Sequence, residues 1–298
     1  MRNHSKIVSI LLDSLPYIRF FRGSKIVIKY GGAAQINPNL KEQFAIDIVM
    51  LYMLGIKPII VHGGGKRINE LLDSLKIPSE FVDGLRVTSI DALKIVEMVL
   101  SGEINKEITA FLNFHGVNAL GISGKDASLF QAIPKDNGKY GYTGEITETN
   151  GAVINNLLEQ NLVPVIAPIA CGDEAGHPGF NINADSAASA IAIATGAKRA
   201  IFLTDTKGVL DKNGEIIESL NIAQTENLYR DGTISGGMIP KVEACLDCVK
   251  NGVEKAHIID GRIPHSLLLE LFTSAGIGTE FTAEWVFTRP FDKMRAWK

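Results

Sequence analysis

An α/β fold with a mostly parallel sheet, covered by helices on both faces, is what this sequence predicts. Two observations carry the expectation. Short apolar runs of about four to six residues alternate with amphipathic stretches of roughly ten or more, the pattern of βαβ units. The 298-residue chain is 46% hydrophobic and 21% charged, enough to bury a sizeable core in one large or two modest domains.

The elements follow in order. Ile7, Ile10, Leu11, Leu15 and Ile18 recur at helical spacing and predict an amphipathic N-terminal helix, bent or stopped near Pro16. Its apolar face can pack on its own subunit or on another copy, and amphipathicity alone does not choose. KIVIKY at 25–30 reads as the first strand. A helix is expected over 40–54, with Leu40, Phe44, Ile48 and Leu51 on one face, Asn39 and Glu42 as a capping box and Gly55 as the stop. PIIV at 58–61 is a buried strand. Helices are expected at 66–75, 90–100 and 104–115, then a strand at 117–122. The Gly-, Tyr- and Thr-richer stretch 129–149 reads as hairpins. A helix at 151–160 and a strand at 163–167 come next. An Ala/Ser-rich helix at 184–195 is closed by Gly196, and its small side chains allow close approach to neighbours. A strand at 199–203, helices at 225–230 and 238–250, a strand at 256–259 and a helix at 266–274 complete the alternation. The loop CGDEAGHPGF at 171–180 is the best candidate boundary between two lobes.

Composition removes several function classes. Lys plus Arg is 30 and Asp plus Glu is 33, giving a net charge of −3, which argues against a general nucleic-acid binder. Three cysteines in so long a chain do not make a disulfide framework and fit a reducing compartment. No uncharged apolar run reaches the roughly 18 residues a membrane span needs. Asp13 and Pro16 interrupt the apolar opening, which lacks a small-residue cleavage site, so it does not read as a signal peptide. A cytoplasmic globular protein is the expectation.

Three glycine clusters dominate the motifs. Lys29-Tyr30-Gly31-Gly32 ends the first strand, His62-Gly63-Gly64-Gly65-Lys66 ends the second and opens a helix, and Ser235-Gly236-Gly237-Met238-Ile239-Pro240-Lys241 opens a late helix. Ligands bind at the carboxyl edge of parallel sheets. Glycine lets backbone N–H groups approach an anion, and a helix N-terminus adds partial positive charge. With Lys29 and Lys241 these clusters read as a phosphate cradle; the alternative is tight turns that happen to be glycine-rich. Neither G-x-x-x-x-G-K-[ST] nor G-x-G-x-x-G is present, which weakens the P-loop and dinucleotide-dehydrogenase readings. In NINAD (181–185) one carboxylate could hold both lysines, or the segment could simply cap its helix. Arg86, beside Gly84, offers a fork suited to a carboxylate, though a surface arginine would look the same. LTDTKGVLD (203–211) follows a strand at the ligand edge and is either a nucleotide contact or a polar turn. Cys245 and Cys248 sit in a helical pattern with no second pair and read as buried structural thiols; no protein metal site is expected. Lysines, glycine N–H groups and an arginine, without a clear general base, fit phosphoryl transfer to a carboxylate that is already ionised, although Asp185 as a base stays open.

KYGG (29–32), VHGGGKRI (61–68), GLRVT (84–88), NINAD (181–185), LTDTKGVLD (203–211) and GGMIPK (236–241), in this order, resemble the amino acid kinase family, and within it the members that act on N-acetyl-L-glutamate. The resemblance runs from Lys25 to about Thr279. It implies a three-layer α/β/α sandwich around an open, mainly parallel sheet, in two lobes: residues 23–180 for the amino-acid substrate and 181–298 for the nucleotide, after an interaction helix at 1–22. It implies that Lys29 and Lys241 stabilise the migrating phosphoryl group and that Asp185 orients them. Gly64, Gly65, Arg86 and Asn181 would bind the acceptor. Gly31, Gly32, Asp205, Lys207, Gly208, Leu210, Thr233, Ser235 and Gly237 would border ATP, which brings its own Mg²⁺. The N-terminal segment resembles that of arginine-inhibited members, which are homohexamers built as trimers of dimers. Tyr17, His265 and Glu280 are then candidates for an arginine effector site. Phe180 stands where members often carry tyrosine, and the tail after Gly278 matches less well. A sibling acceptor (glutamate, an aminoadipate derivative, aspartate, carbamate or UMP) and a non-catalytic nucleotide or arginine sensor are the alternatives. Whether a PII-type regulator docks is not legible in these residues.

Overall fold

The computed structural model describes residues 2–273 and 276–283. The expected helix end at Ser274 and the divergent tail beyond 283 lie outside the described residues, as does the side chain of Ile7. One sheet is built from β1 (Lys25–Tyr30), β2 (Lys57–His62), β3 (Ala119–Ser123), β4 (Val163–Ala167), β5 (Arg199–Thr204), β6 (Ser219–Asn221), β7 (Lys255–Asp260) and β8 (Thr279–Thr282). Their order is β6-β8-β7-β5-β1-β2-β4-β3. Among the described residues every pairing in this sheet is parallel except β7 with β8. The sheet runs unbroken through the β1–β5 pairing, where Lys29 stands opposite Phe202.

The helices are α1 (Arg2–Phe21), α2 (Pro38–Met53), α3 (Gly65–Ser74), α4 (Ile90–Glu97), α5 (Asn105–Phe114), α6 (Gly151–Glu159), α7 (Ala184–Thr195), α8 (Ile222–Arg230), α9 (Ile239–Lys250) and α10 (Ser266–Phe272). Period-two alternation along each strand divides the core into two layers. Ile26, Ile28, Ile60, Val165 and Ile201 pack under α2, α3, α4, α5 and α10. Val27, Ile59, Val61, Phe202 and Ile258 pack under α6, α7 and α9. The result is a three-layer α/β/α sandwich. The small residues of α7 permit the expected close approach: a Cβ on Gly151 would lie 2.3 Å from the Ala194 carbonyl oxygen.

Several local expectations are corrected. α1 runs through Pro16 without stopping; a proline removes one hydrogen bond but does not have to end a helix. The cap of α2 is Asn37, whose side chain accepts from the N–H groups of Asn39 and Leu40, with Pro38 in the first turn; Asn39 and Glu42 are not the capping box. The helices expected at 90–100 and 104–115 form one continuous run, because a π-helical segment at Met98–Ile104 joins α4 to α5. The stretch 129–149 contains the hairpin Phe130–Pro134 with Gly144–Thr149. A second hairpin, Glu80–Val82 with Leu85–Val87, turns on Asp83 and Gly84, both at positive φ. The short strands β6 and β8 had no expectation, since three or four residues carry too little periodicity to register.

α1 is held at its C-terminal end. Phe21 is buried and meets Phe272 edge-on, and the Lys198 ammonium sits 3.5 Å over the Phe20 ring. Further back, Val8, Ile10, Leu11, Leu12 and Leu15 are all exposed.

Candidate active site

The carboxyl ends of β1, β2 and β5 deliver three loops to one edge of the sheet, where α7 and α9 begin. Asn183 caps α7, its side chain accepting from Asp185 N–H at 2.8 Å and Ser186 N–H at 3.1 Å. The cap is therefore Asn183, and the Asp185 carboxylate is free for other partners. It takes both lysines: Lys29 Nζ lies 3.1 Å from Oδ1, and Lys241 Nζ donates to Oδ2 at 2.8 Å. All three are largely buried, with Asp185 4% exposed. Burial alone would push the Asp185 carboxyl up; the two ammonium charges and their hydrogen bonds outweigh it and hold it at about 2. Asp185 is thus held as an anion between the two lysines. Burial pushes the Lys29 ammonium down, and Asp185 opposes that push.

Gly32 and Gly64 leave no room for a side chain, whereas Gly31 and Gly65 are less crowded. A Cβ on Gly31 would stand 3.3 Å from Lys29 Nζ. Gly32 has φ +65°, and a Cβ there would fall 2.5 Å from Asp205 Oδ1, the atom that accepts from Ala33 N–H at 2.7 Å. Asp205 therefore ties the end of β5 to the Gly31–Gly32 turn. A Cβ on Gly64 would collide with Leu100 and Ile104, whereas Gly65 and Gly237 have nothing within 4 Å of theirs. Gly31, Gly32, Gly64 and Gly65 line one cavity of about 530 Å³ together with Lys29.

Arg86 is 6% exposed. Its guanidinium donates to Ser79 Oγ and, at 2.7 Å, to Asn69 Oδ1, and lies 4.6 Å over the Phe81 ring. These partners are neutral, and among the described residues no carboxylate pairs with it. Burial accordingly pushes its pKa down. Asn181 reaches the same hairpin, donating to Thr88 Oγ1 at 3.1 Å.

The remaining candidates fall in two groups. Gly208 (φ +145°) and Val209 close on Thr279, whose Oγ1 accepts from Val209 N–H at 2.8 Å; Leu210 bridges to Ile216, and Lys207 lies near Asp260. Thr233 N–H donates to Asp231 at 3.0 Å, and Ser235 precedes the single turn Gly236–Met238 that leads into α9. Of the effector candidates, His265 pairs with Asp47 at 2.6 Å, Glu280 pairs with Lys255 at 2.7 Å, and Tyr17 lies in α1. Cys245 and Cys248 are free and buried in α9, and burial pushes both thiols up.

The amino acid kinase family matches residues 24–260. The chain belongs to the amino acid kinase family. A protein of Wolinella succinogenes named acetylglutamate kinase is 70% identical over 280 residues, covering 94% of this chain and 99% of that protein. A second, of Helicobacter hepaticus and with the same name, is 66% identical over 92% of this chain and 98% of its own length. Among solved structures, N-acetylglutamate synthase from Neisseria gonorrhoeae superposes with a TM-score of 0.83 at 24% identity, over 94% of this chain and 64% of that one, which speaks to the fold. The chain is a kinase of this family, and acetylglutamate kinases are among its relatives.

Helix capping was one of the two readings of NINAD, and Asn183 is the residue that does it. The hydrogen bond from Ala33 N–H to Asp205, and Gln35, His62 and Asn105 around Gly63, had no expectation attached and emerge only when the strands are assembled. His62 alone carried a signal, by standing directly before three glycines.

Proposed function

We propose that this kinase transfers the γ-phosphoryl group of ATP to the side-chain carboxylate of N-acetyl-L-glutamate, giving N-acetyl-L-glutamyl 5-phosphate and ADP, a step of arginine biosynthesis. The observation that carries the reading is the pairing of two ammonium groups, Lys29 and Lys241, on the one buried carboxylate of Asp185. Lys29 and Lys241 face the charge that spreads over the transferred group's oxygens, and Asp185 fixes where they stand. The acceptor is ionised near neutral pH, so no group of the chain has to remove a proton. Arg86 supplies the fork for an acceptor carboxylate, and Asn181 lies beside it. Gly65 opens α3 and lines the cavity, where a helix N-terminus favours an anion. Residues 205–210 and 233–237 border the nucleotide, whose phosphates carry Mg²⁺; that ion neutralises charge on the phosphoryl oxygens when bound. Transfer is in line, without a covalent enzyme intermediate. On this reading residues 23–180 carry the acceptor and 181–298 the nucleotide, and the three free cysteines fit a cytoplasmic enzyme.

The test is ADP release measured across N-acetyl-L-glutamate, glutamate, an N-acylated aminoadipate, aspartate, carbamate and UMP. A kcat/KM for N-acetyl-L-glutamate at least about 100-fold above the others is expected. Preference for an unacetylated amino acid or a nucleotide overturns the reading, and no turnover with any acceptor favours a binding-only sensor.

The exposed apolar residues of α1 favour a second proposal, that this helix joins copies of the chain into a homohexamer inhibited by arginine, with Tyr17, His265 and Glu280 near the effector. Deleting residues 1–20 should lower the mass measured by light scattering and blunt inhibition by arginine. An unchanged mass and inhibition curve refute it.

A further inference from the structure

Gly63 and Gly64 share a peptide whose carbonyl is held from two sides. Gly63 O accepts from Gln35 Nε2 at 2.9 Å and lies 3.0 Å from His62 Nδ1. The His62 ring is fully buried, and its Nε2 is 3.2 Å from Asn105 Nδ2. An amide nitrogen can only donate, so Nε2 accepts and the ring proton sits on Nδ1, which donates to Gly63 O. Burial holds the imidazole at about 4, so near neutral pH it is uncharged and keeps this tautomer.

Asn105 is itself fixed. It is fully buried, one proton of its Nδ2 donates to the Val165 carbonyl at 2.8 Å, the other is shared between His62 Nε2 and the Ile122 carbonyl, each at 3.2 Å, and its Oδ1 accepts from Lys106 at 3.1 Å. It directly follows the π-helical segment Met98–Ile104, and Leu100 and Ile104 of that segment pack where a Cβ of Gly64 would stand. Such segments shift the residues beyond them to a new face of the helix, often at functional sites.

The chain has no cis peptide among its described residues, so the Gly64 N–H points opposite to the Gly63 carbonyl. His62 and Tyr30 are paired in register and face the α2–α5 layer, whereas Lys29 and Val61 face α7, which carries Asp185. With the carbonyl drawn to the His62 side, the N–H is directed to the Lys29 side. Among the described residues no protein acceptor takes it.

We infer that His62, Asn105 and Gln35 are positioning residues, whose buried relay sets the Gly63–Gly64 peptide so that the Gly64 N–H meets the phosphoryl oxygens between Lys29 and Lys241. The inference rests on the phosphoryl-transfer reading but not on which acceptor is used. His62 and Asn105 are buried outside the cavity lining, whereas Gln35 borders the cavity; the relay acts by fixing one donor, and a donor misplaced by about 1 Å can cost on the order of 100-fold in rate.

Two variants test it. In His62→Leu the Nδ1 donor is lost, and kcat should fall about 10- to 100-fold with KM for ATP and acceptor changed less than about threefold. In His62→Asn the side-chain amide stands where Nδ1 was, and kcat should recover to within about fivefold of wild type. Titration calorimetry with Mg²⁺, ADP and tetrafluoroaluminate supplies a readout without turnover: His62→Leu should lose affinity for this mimic about tenfold while its affinity for Mg²⁺–ADP stays the same. Equal kcat and equal mimic affinity in folded His62→Leu overturn the inference, and so does a His62→Asn protein as impaired as His62→Leu. If wild type phosphorylates none of the acceptors but the mimic discriminates the variants as stated, the relay stands and the acceptor assignment fails. Should His62→Leu not fold, half-buried Gln35→Ala carries the test: lower kcat at unchanged melting temperature is expected, and unchanged kcat overturns the inference.

Discussion

Asn183 and Asp185, two residues apart at the start of α7, divide two tasks that one residue cannot perform together. Asn183 satisfies the first N–H groups of the helix, and Asp185 is thereby released to bridge Lys29 and Lys241. An Asp at the cap would have spent its oxygens on the backbone. Lys29 arrives from the end of β1 and Lys241 from the first turn of α9, so the carboxylate is the point where two distant parts of the chain are made to agree.

Lys241→Ala should leave the fold intact, because Asp185 stays paired with Lys29. Turnover should drop by roughly 1,000-fold, with the Kd for ATP raised less than about tenfold. Stopped-time ADP assays and calorimetry check this pair of numbers; a kcat within tenfold of wild type removes Lys241 from the chemistry.

Arg86→Leu separates acceptor recognition from nucleotide recognition. The buried guanidinium has only neutral partners, so replacing it with an apolar side chain should not unfold the hairpin. The KM for N-acetyl-L-glutamate should rise by about 100-fold while the KM for ATP stays within about threefold. Equal effects on both substrates would place Arg86 in a structural role.

Gly65→Ala should move stability and activity in opposite directions. Gly65 is the first residue of α3, and its added methyl meets no protein atom within 4 Å. Alanine in a helix favours the folded state by about 0.5–1 kcal/mol over glycine. The same methyl enters the cavity beside Lys29, and kcat/KM should fall by at least about tenfold. Gly32→Ala differs in losing both, since φ +65° and Asp205 oppose the methyl there.

Asp47 offers a test against pH. Burial pushes its carboxyl up from 3.8 to about 6, opposed by its hydrogen bond with His265. A raised acid binds its proton more tightly in the folded chain, so this contribution is complete below about pH 4 and fades as pH climbs through about 6. Asp47→Asn keeps an acceptor for His265 without the charge. Its melting temperature should match wild type near pH 4 and exceed it at pH 7–8, by the equivalent of about 1–3 kcal/mol. A difference that is flat across this range would show that Asp47 ionises freely.

Much of this architecture was legible from residue order, for identifiable reasons. β1, β2, β4 and β5 are apolar on both faces, a pattern only a covered parallel sheet produces, and the glycine clusters mark where these strands hand over to helices. Lys29 and Lys241 were visible because they accompany glycine clusters, and Asp185 because NINAD puts a carboxylate at the start of a helix. What was hidden depends on register or on single dihedrals. The π-helical segment at Met98–Ile104 differs from ordinary helix by one residue in its hydrogen bonding, which no hydrophobic period records. The hydrogen bond from Ala33 N–H to Asp205 requires β5 to lie beside β1, and the cap at Asn37 is followed by a proline in the first turn. The edge strands β6 and β8 are too short to declare themselves.

The place of β1 in the sheet also bears on how the protein is made. It is translated before the other described strands of the sheet, yet one of its two edges is covered only by β5, whose residues 199–204 are translated much later. At about 5–20 residues per second the gap is on the order of 10–30 s. Through that interval KIVIKY is an apolar strand with an unpaired edge, a natural client for a holding chaperone during synthesis.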